Sequence, residues 1–275
     1  MTDGMFRAED GCLLAYEDVG EGMPVLWQHG LGADRTQPAE VFPANPGTAP
    51  GIRRLTLECR GHGNSELGDT SRLSIATFAA DAIALLDHVG IRQAIVGGIS
   101  LGAALSMRLA ALHSDRIAGL ILARPAWVVG PSATMAPYLE IAALLQEFGA
   151  HEGALRFEAS ACLPAVAAIS PDNVASLRSF FSRPNPASTI ALLSTIPGDS
   201  PGIDAAAIAG IRAPTLIIGN HHDFVHPLAY AERLQQILPH ATLRVITAKS
   251  INKDQYKLDF REALSQFLTA MLVFP

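Results

Sequence analysis

The chain has little of what would make it a disulfide scaffold, a nucleic-acid binder or a membrane protein. Of its 275 residues only three are cysteine, and Cys12, Cys59 and Cys162 are odd in number and widely scattered. That spacing offers no disulfide framework and predicts a reducing, cytoplasmic location. Charged residues make up 17% and sum to a formal net charge of −6, with no basic run longer than Arg53-Arg54. A nucleic-acid surface, which needs clustered Lys and Arg, is therefore not expected. The apolar runs are too short to span a bilayer. Met1–Asp10 is acidic and lacks an apolar core, so it does not read as a secretory leader. What is present, 49% hydrophobic residues with 18 prolines spread throughout, describes a compact globular protein. Its length suits one sizeable α/β domain with an insertion, or two small domains.

The most informative stretch is Gly98-Ile99-Ser100-Leu101-Gly102. The apolar run from Ala94 to Gly97 before it reads as a buried strand. Ala103 to His113 after it, apolar on nearly all sides, reads as a buried helix. A serine between the two must make a very sharp turn, and the flanking glycines remove the side chains that would block it. Its hydroxyl is then held proud of the sheet beside the first helical N–H groups, which can stabilise an oxyanion. The bland alternative for Ser100 is a helix N-cap in a tight turn.

Around this stretch the chain alternates strands and helices. Strands are predicted at Cys12–Val19, Val25–Gln28, Leu55–Glu58, Ile117–Leu122, Thr215–Ile218 and Leu243–Ile246. Ser74 caps a helix whose face carries Ile75, Phe78, Ala82, Leu85, Leu86 and Val89, and Gly90 stops it. Further helices are expected over Pro227–Leu238 and around Phe260, Ala263, Leu264, Phe267, Leu268 and Met271. From Arg124 to about Asp204 the rhythm changes to Ala-rich helical stretches broken near Pro164, Pro171, Pro184–Pro186 and Pro197–Pro201. The predicted organisation is a doubly wound, mostly parallel sheet from 1–123 and 205–275, with 124–204 as an inserted helical cap. Functional groups belong at the carboxyl ends of the strands.

Four ordered motifs resemble the α/β-hydrolase fold superfamily: His29-Gly30-Leu31-Gly32, Arg60-Gly61-His62-Gly63-Asn64-Ser65, Gly98–Gly102, and Asp223 five residues past a strand. The resemblance covers essentially the whole chain. It implies that Ser100 is a nucleophile, that backbone N–H groups of Leu31 and Leu101 form the oxyanion hole, and that Asp223 is the triad acid. The residues alone also allow Asp223 as a loop or capping aspartate before Pro227. His29 and His62 are read as supports of loop geometry.

The superfamily takes its base from the loop after the last strand, and here the sequence departs from it. That loop, Thr247–Asp254, has no histidine, and none follows His240. His240 precedes the last strand, roughly 20 Å away at ~3.3 Å per residue, whereas a base must approach within about 3 Å. His226 and His222 lie on the correct edge beside Asp223, with His226 the better placed. Lys249 and Lys253 lie where the histidine would be, and a lysine base must be desolvated enough to be neutral. The His222/His226 spacing invites a metal check, but Pro227 starts the helix too late to put both on one face.

The expectation is a cofactor-independent, metal-free serine hydrolase for a small carboxylic ester, thioester or lactone-like bond. Its partner is a small-molecule substrate, with neither nucleic acid nor membrane, and the oligomeric state is open. Trp127 is the substrate-binding residue singled out from the apolar residues of the cap. Arg35 and Arg124 are placed where each could meet a carboxylate. Two alternatives stay open: a catalytically impaired member that binds a small apolar ligand, and a lyase or other chemistry on the same scaffold.

Overall fold

Residues 2–42 and 51–273 are described by a computed structural model. Eight strands share one sheet: β1 (Thr2–Arg7), β2 (Leu13–Gly20), β3 (Gly22–Gln28), β4 (Gly51–Leu57), β5 (Ala94–Ile99), β6 (Ile117–Ala123), β7 (Thr215–Asn220) and β8 (Thr242–Ile246). Their spatial order is β1-β2-β4-β3-β5-β6-β7-β8. The β1–β2 and β2–β4 pairs are antiparallel, and all the others are parallel. This is the doubly wound, mostly parallel sheet expected from the sequence. β1 is an addition, because its alternating, partly polar residues carry too little apolar signal to be read alone.

Side chains alternate across the sheet with the period of two that strands impose. Leu26, Val96 and Ile217 enter the larger core with the helices α2 (Ile75–His88) and α3 (Leu101–Leu112). Val25, Trp27, Ile95, Leu216 and Ile218 enter the other, against α1 (Gln37–Val41) and α10 (Lys253–Val273). α2 begins where the Ser74 hydroxyl accepts from Thr77 N–H, and Gly90 at φ 69° ends it. α3 is buried on nearly every side, as its apolar sequence requires.

Between β6 and β7 the chain runs through helices only. These are α4 (Ala136–Glu158), kinked at Gly149, α5 (Cys162–Ile169), α6 (Pro171–Arg178), α7 (Pro186–Thr195) and α8 (Ala205–Ala209). Pro164 does not break the chain, since it falls in the first turn of α5, where proline is tolerated. The Trp127 indole N–H donates to the Asp199 carbonyl at 3.0 Å and so ties the two ends of this segment together. α9 (Leu228–Ile237) then leads to β8.

Because β4 and β5 flank β3 on opposite sides, the chain reverses its winding direction there, and the loops after β3 and β5 border one crevice. Gly98 and Gly102 both press on the Gln28 backbone at the end of β3, and a Cβ on Gly102 would collide with the Gln28 carbonyl. Gly102→Ala is expected to lower stability by about 1–3 kcal/mol through forced backbone displacement. A urea titration beside the wild type reads this directly, and an unchanged midpoint would refute the close approach.

Candidate active site at the carboxyl edge of the sheet

Ser100 links β5 to α3 with φ 59° and ψ −109°, a conformation that non-glycine residues rarely adopt. Its N–H donates to the Ala123 carbonyl at the end of β6 at 3.0 Å, which holds the turn against the neighbouring strand. The residue is 7% exposed, and its hydroxyl makes no hydrogen bond among the described residues. Leu101 opens α3, so its N–H is one of the helix-start donors without an intrahelical acceptor.

The loop after β3 is fixed by two adjacent imidazoles whose ring centroids lie 4.7 Å apart with their planes tilted by 51°. His29 Nδ1–H donates to the Gly30 carbonyl at 2.8 Å, and its Nε2 accepts from Cys59 N–H at 3.1 Å. His62 Nδ1–H donates to the Arg60 carbonyl at 2.9 Å, and its Nε2 accepts from Gly32 N–H at 2.9 Å. Each ring thus acts as donor and acceptor, which requires the neutral form. Burial is the main cause that pushes His29 down to about 4 and His62 well below its usual range. Gln37 Oε1 accepts from Gly30 N–H at 2.8 Å, whereas Leu31 N–H carries no hydrogen bond among the described residues.

Past β7, Asp223 is buried between a cation and an imidazole. Its Oδ2 accepts from Arg124 Nε at 2.8 Å and pairs with Nη2 at 2.6 Å. Its Oδ1 accepts from His226 N–H at 3.1 Å and faces His226 Nδ1 at 3.0 Å. Burial alone would raise this carboxyl, but the charge of Arg124 and the contact with His226 outweigh it and hold Asp223 well below the usual carboxylate range. The ionised acid makes His226 Nδ1 the protonated nitrogen, leaving Nε2 as the acceptor. Burial, aided by the Arg124 charge and opposed by Asp223, lowers the His226 pKa from its ordinary value. Asn173 of α6 accepts from Phe224 and Val225 N–H at 2.8 and 3.0 Å, so the segment between β6 and β7 clamps the loop that carries the pair.

The remaining candidates lie elsewhere. His222 is exposed with φ 54°, and both it and His226 precede α9, so their spacing does not place them on one helix face. Lys249 pairs with Asp172 of α6 at 3.6 Å, and Lys253 is the first residue of α10. No hydrogen bond joins Ser100 to His226 among the described residues. Trp127 is 1% exposed and lines a small surface cavity with Tyr230. Arg35 faces Glu58 at 3.7 Å and Asp3 at 3.4 Å, and Arg124 meets the carboxylate of Asp223.

A cavity of about 160 Å³ opens between the His29–Gly32 loop, the Gly61–Gly63 turn and the start of α7. Phe180, Arg183 and Asn185 enter its wall from the far side. Arg183 was not anticipated. It lies in a proline-broken stretch whose periodicity carries no indication of where a side chain points.

The strand order, the serine elbow and the glycine-rich loop beside it define an α/β scaffold of the hydrolase type. A family model described as the alpha/beta hydrolase fold matches residues 23–188, and the chain belongs to that family. It is 28% identical over 235 residues to a 2-hydroxymuconate semialdehyde hydrolase of Pseudomonas putida, covering 83% of this chain and 80% of the relative. A non-heme haloperoxidase of Rhodococcus erythropolis is 32% identical over 119 residues, 42% of this chain and 41% of that one. Among solved structures, a thermophilic esterase from Thermogutta terrifontis matches at TM-score 0.76 and 21% identity, covering 98% of this chain and 99% of that one. The enol-lactonase from Burkholderia xenovorans LB400 matches at TM-score 0.71 and 22% identity, covering 98% and 100%. At these identities the structural likeness establishes the fold. Among the described residues no helix is long and apolar enough to cross a membrane.

The buried imidazoles dictate an acid-side instability. Below the ordinary histidine pKa of 6.5 the unfolded chain takes up protons that folded His29, His62 and His226 refuse. Stability is therefore full above that value and falls as pH drops toward about 4. Urea midpoints at about pH 7 and about pH 4.5 should show the decline, with a shallower slope in His62→Gln. Equal slopes in both proteins would contradict the burial of a neutral imidazole.

Proposed function

We propose that the chain is a cofactor-independent serine hydrolase acting on a small carboxylic ester, thioester or lactone-like acyl bond. The observation that carries this reading is Ser100, held at φ 59° between β5 and α3 with its hydroxyl uncommitted. In the proposed reaction Ser100 Oγ forms a bond to the carbonyl carbon while its proton passes to His226 Nε2. Asp223 stabilises the resulting imidazolium, as the acid does in any Ser-His-Asp arrangement. The oxyanion is held by the N–H groups of Leu31 and Leu101. Collapse breaks the carbonyl–leaving-group bond, the imidazolium protonates the leaving group, and water then hydrolyses the acyl-enzyme by the same route. The helices of 124–204 serve as a cap over the site, with Trp127 bracing its hinge end. The names of the hydrolase, esterase and lactonase relatives support the reaction class. The scattered free cysteines support a cytoplasmic location.

A second reading, a non-catalytic protein that binds a small ligand in the same crevice, draws on two observations. Asp223 is already engaged at two points by Arg124, and the loop after β8 contributes Lys249 to Asp172 instead of a histidine to the acid. Hydrolysis of a p-nitrophenyl ester separates the two. The serine-hydrolase reading expects Ser100→Ala to abolish turnover and His226→Ala to reduce kcat/KM by about 10²–10⁴-fold. Turnover that survives Ser100→Ala refutes it. Loss with Ser100→Ala but not with His226→Ala reassigns the base to Lys249 or Lys253.

A further inference from the structure

We propose that Arg183 makes the cavity beside the Leu31–Gly32 loop a carboxylate site, so that the favoured substrates carry a free carboxylate close to the scissile acyl group. This rests on the serine-hydrolase reading and narrows its substrate class. The guanidinium lies against the oxyanion loop itself: a Cβ on Gly32 would fall 2.9 Å from Arg183 Cζ. It also lies over the Phe180 ring, 4.4 Å from its centroid. Nε is buried without a hydrogen-bond partner, and no ion pair reaches Arg183 among the described residues. Three other largely buried arginines differ in that each forms an ion pair, although Arg54 Nε likewise lacks a hydrogen-bond partner. Arg60 pairs with Asp10 and Asp81, Arg54 with Glu17, and Arg124 with Asp223. A half-buried guanidinium with no protein partner, facing a cavity, is poised for an anion supplied from outside.

The lining selects among anions. Among the described residues, Arg183 and Asp34 are its only formally charged members, since His62 is held neutral. The Asp34 carboxylate is engaged by the Thr36 N–H and hydroxyl, at 2.8 and 2.6 Å, and does not come within ion-pair distance of Arg183. It repels an anion from that side and directs it toward Arg183. Asn185 Oδ1 accepts from Ser188 N–H, leaving the Asn185 amide NH₂ as a neutral donor in the cavity lining. One cation with neutral donors and a nearby carboxylate suits a monoanionic carboxylate. It does not suit a phosphate dianion, which needs several cations. The planar fork of arginine matches the two carboxylate oxygens, and lysine could not reproduce that pairing.

The test compares the p-nitrophenyl monoester of glutarate with its neutral methyl-capped analogue, in wild type, Arg183→Met and Arg183→Lys. The expected result is a wild-type kcat/KM at least about tenfold higher for the carboxylate ester. Arg183→Met should erase that ratio, mainly through KM, and Arg183→Lys should restore it in part. Glutarate itself should raise the melting temperature of wild type and of Ser100→Ala saturably, and not that of Arg183→Met. Hydrolysis of both esters at equal rates, with a ratio unmoved by Arg183→Met, overturns the inference while leaving the serine hydrolase intact. Glutarate protection that depends on Arg183 in a protein that hydrolyses neither ester upholds the anion site and removes the hydrolase. No protection and no preference in the folded wild type overturns the site.

Discussion

The close approach of Gly98 and Gly102 to the Gln28 carbonyl is the contact on which the site depends. It brings the end of β5 and the first turn of α3 against the end of β3 with no side chain between them. Two consequences follow from that single approach. The chain can pass from strand to helix in one residue, which forces Ser100 to φ 59°. The His29–Gly32 loop, leaving β3 at the same point, arrives beside the serine. Its shape is then held by the His29 and His62 imidazoles, which must stay neutral to donate from one nitrogen and accept at the other. The sheet supplies rigidity and the loops supply chemistry, a division expected where a parallel sheet changes winding direction.

Electrostatics organises the other half of the edge. Arg124 leaves β6 in a left-handed conformation, φ 44°, and reaches across to Asp223 beyond β7. The carboxylate is thereby kept ionised in a buried place, and it faces the His226 imidazole from only three residues away. In the proposed mechanism acid and base come from one loop, whereas the superfamily pattern takes the histidine from beyond the last strand. That distant loop has a different task here, since Lys249 reaches Asp172 and Asn173 next to it clamps the Asp223 loop. The proposed mechanism follows from this rearrangement.

Much of this was legible in the residues before the fold was seen. The strand–Ser100–helix turn was readable because glycine at 98 and 102 has a steric cause that leaves a local trace. The faces of α2 and α10 were readable because burial imposes a helical period. β1 was missed because an edge strand with one polar face has a weak pattern. The engagement of Arg124 with Asp223, 99 positions apart, leaves no local trace at all. The exposure of Arg183 to the cavity is invisible for the same reason: side-chain direction in a proline-broken segment is set by tertiary packing. Lys249 shows the converse, since its position after β8 was readable while its partner, Asp172, was not.

The central claim is that Ser100 is an activated nucleophile served by the Asp223–His226 pair. Reaction of the folded protein with a fluorophosphonate, followed by intact mass and peptide mapping, tests it most directly. The account predicts one adduct per chain, located on Ser100, forming at least about a hundredfold more slowly in His226→Ala. Folded wild-type protein that forms no adduct, or forms it equally fast without His226, would contradict the account.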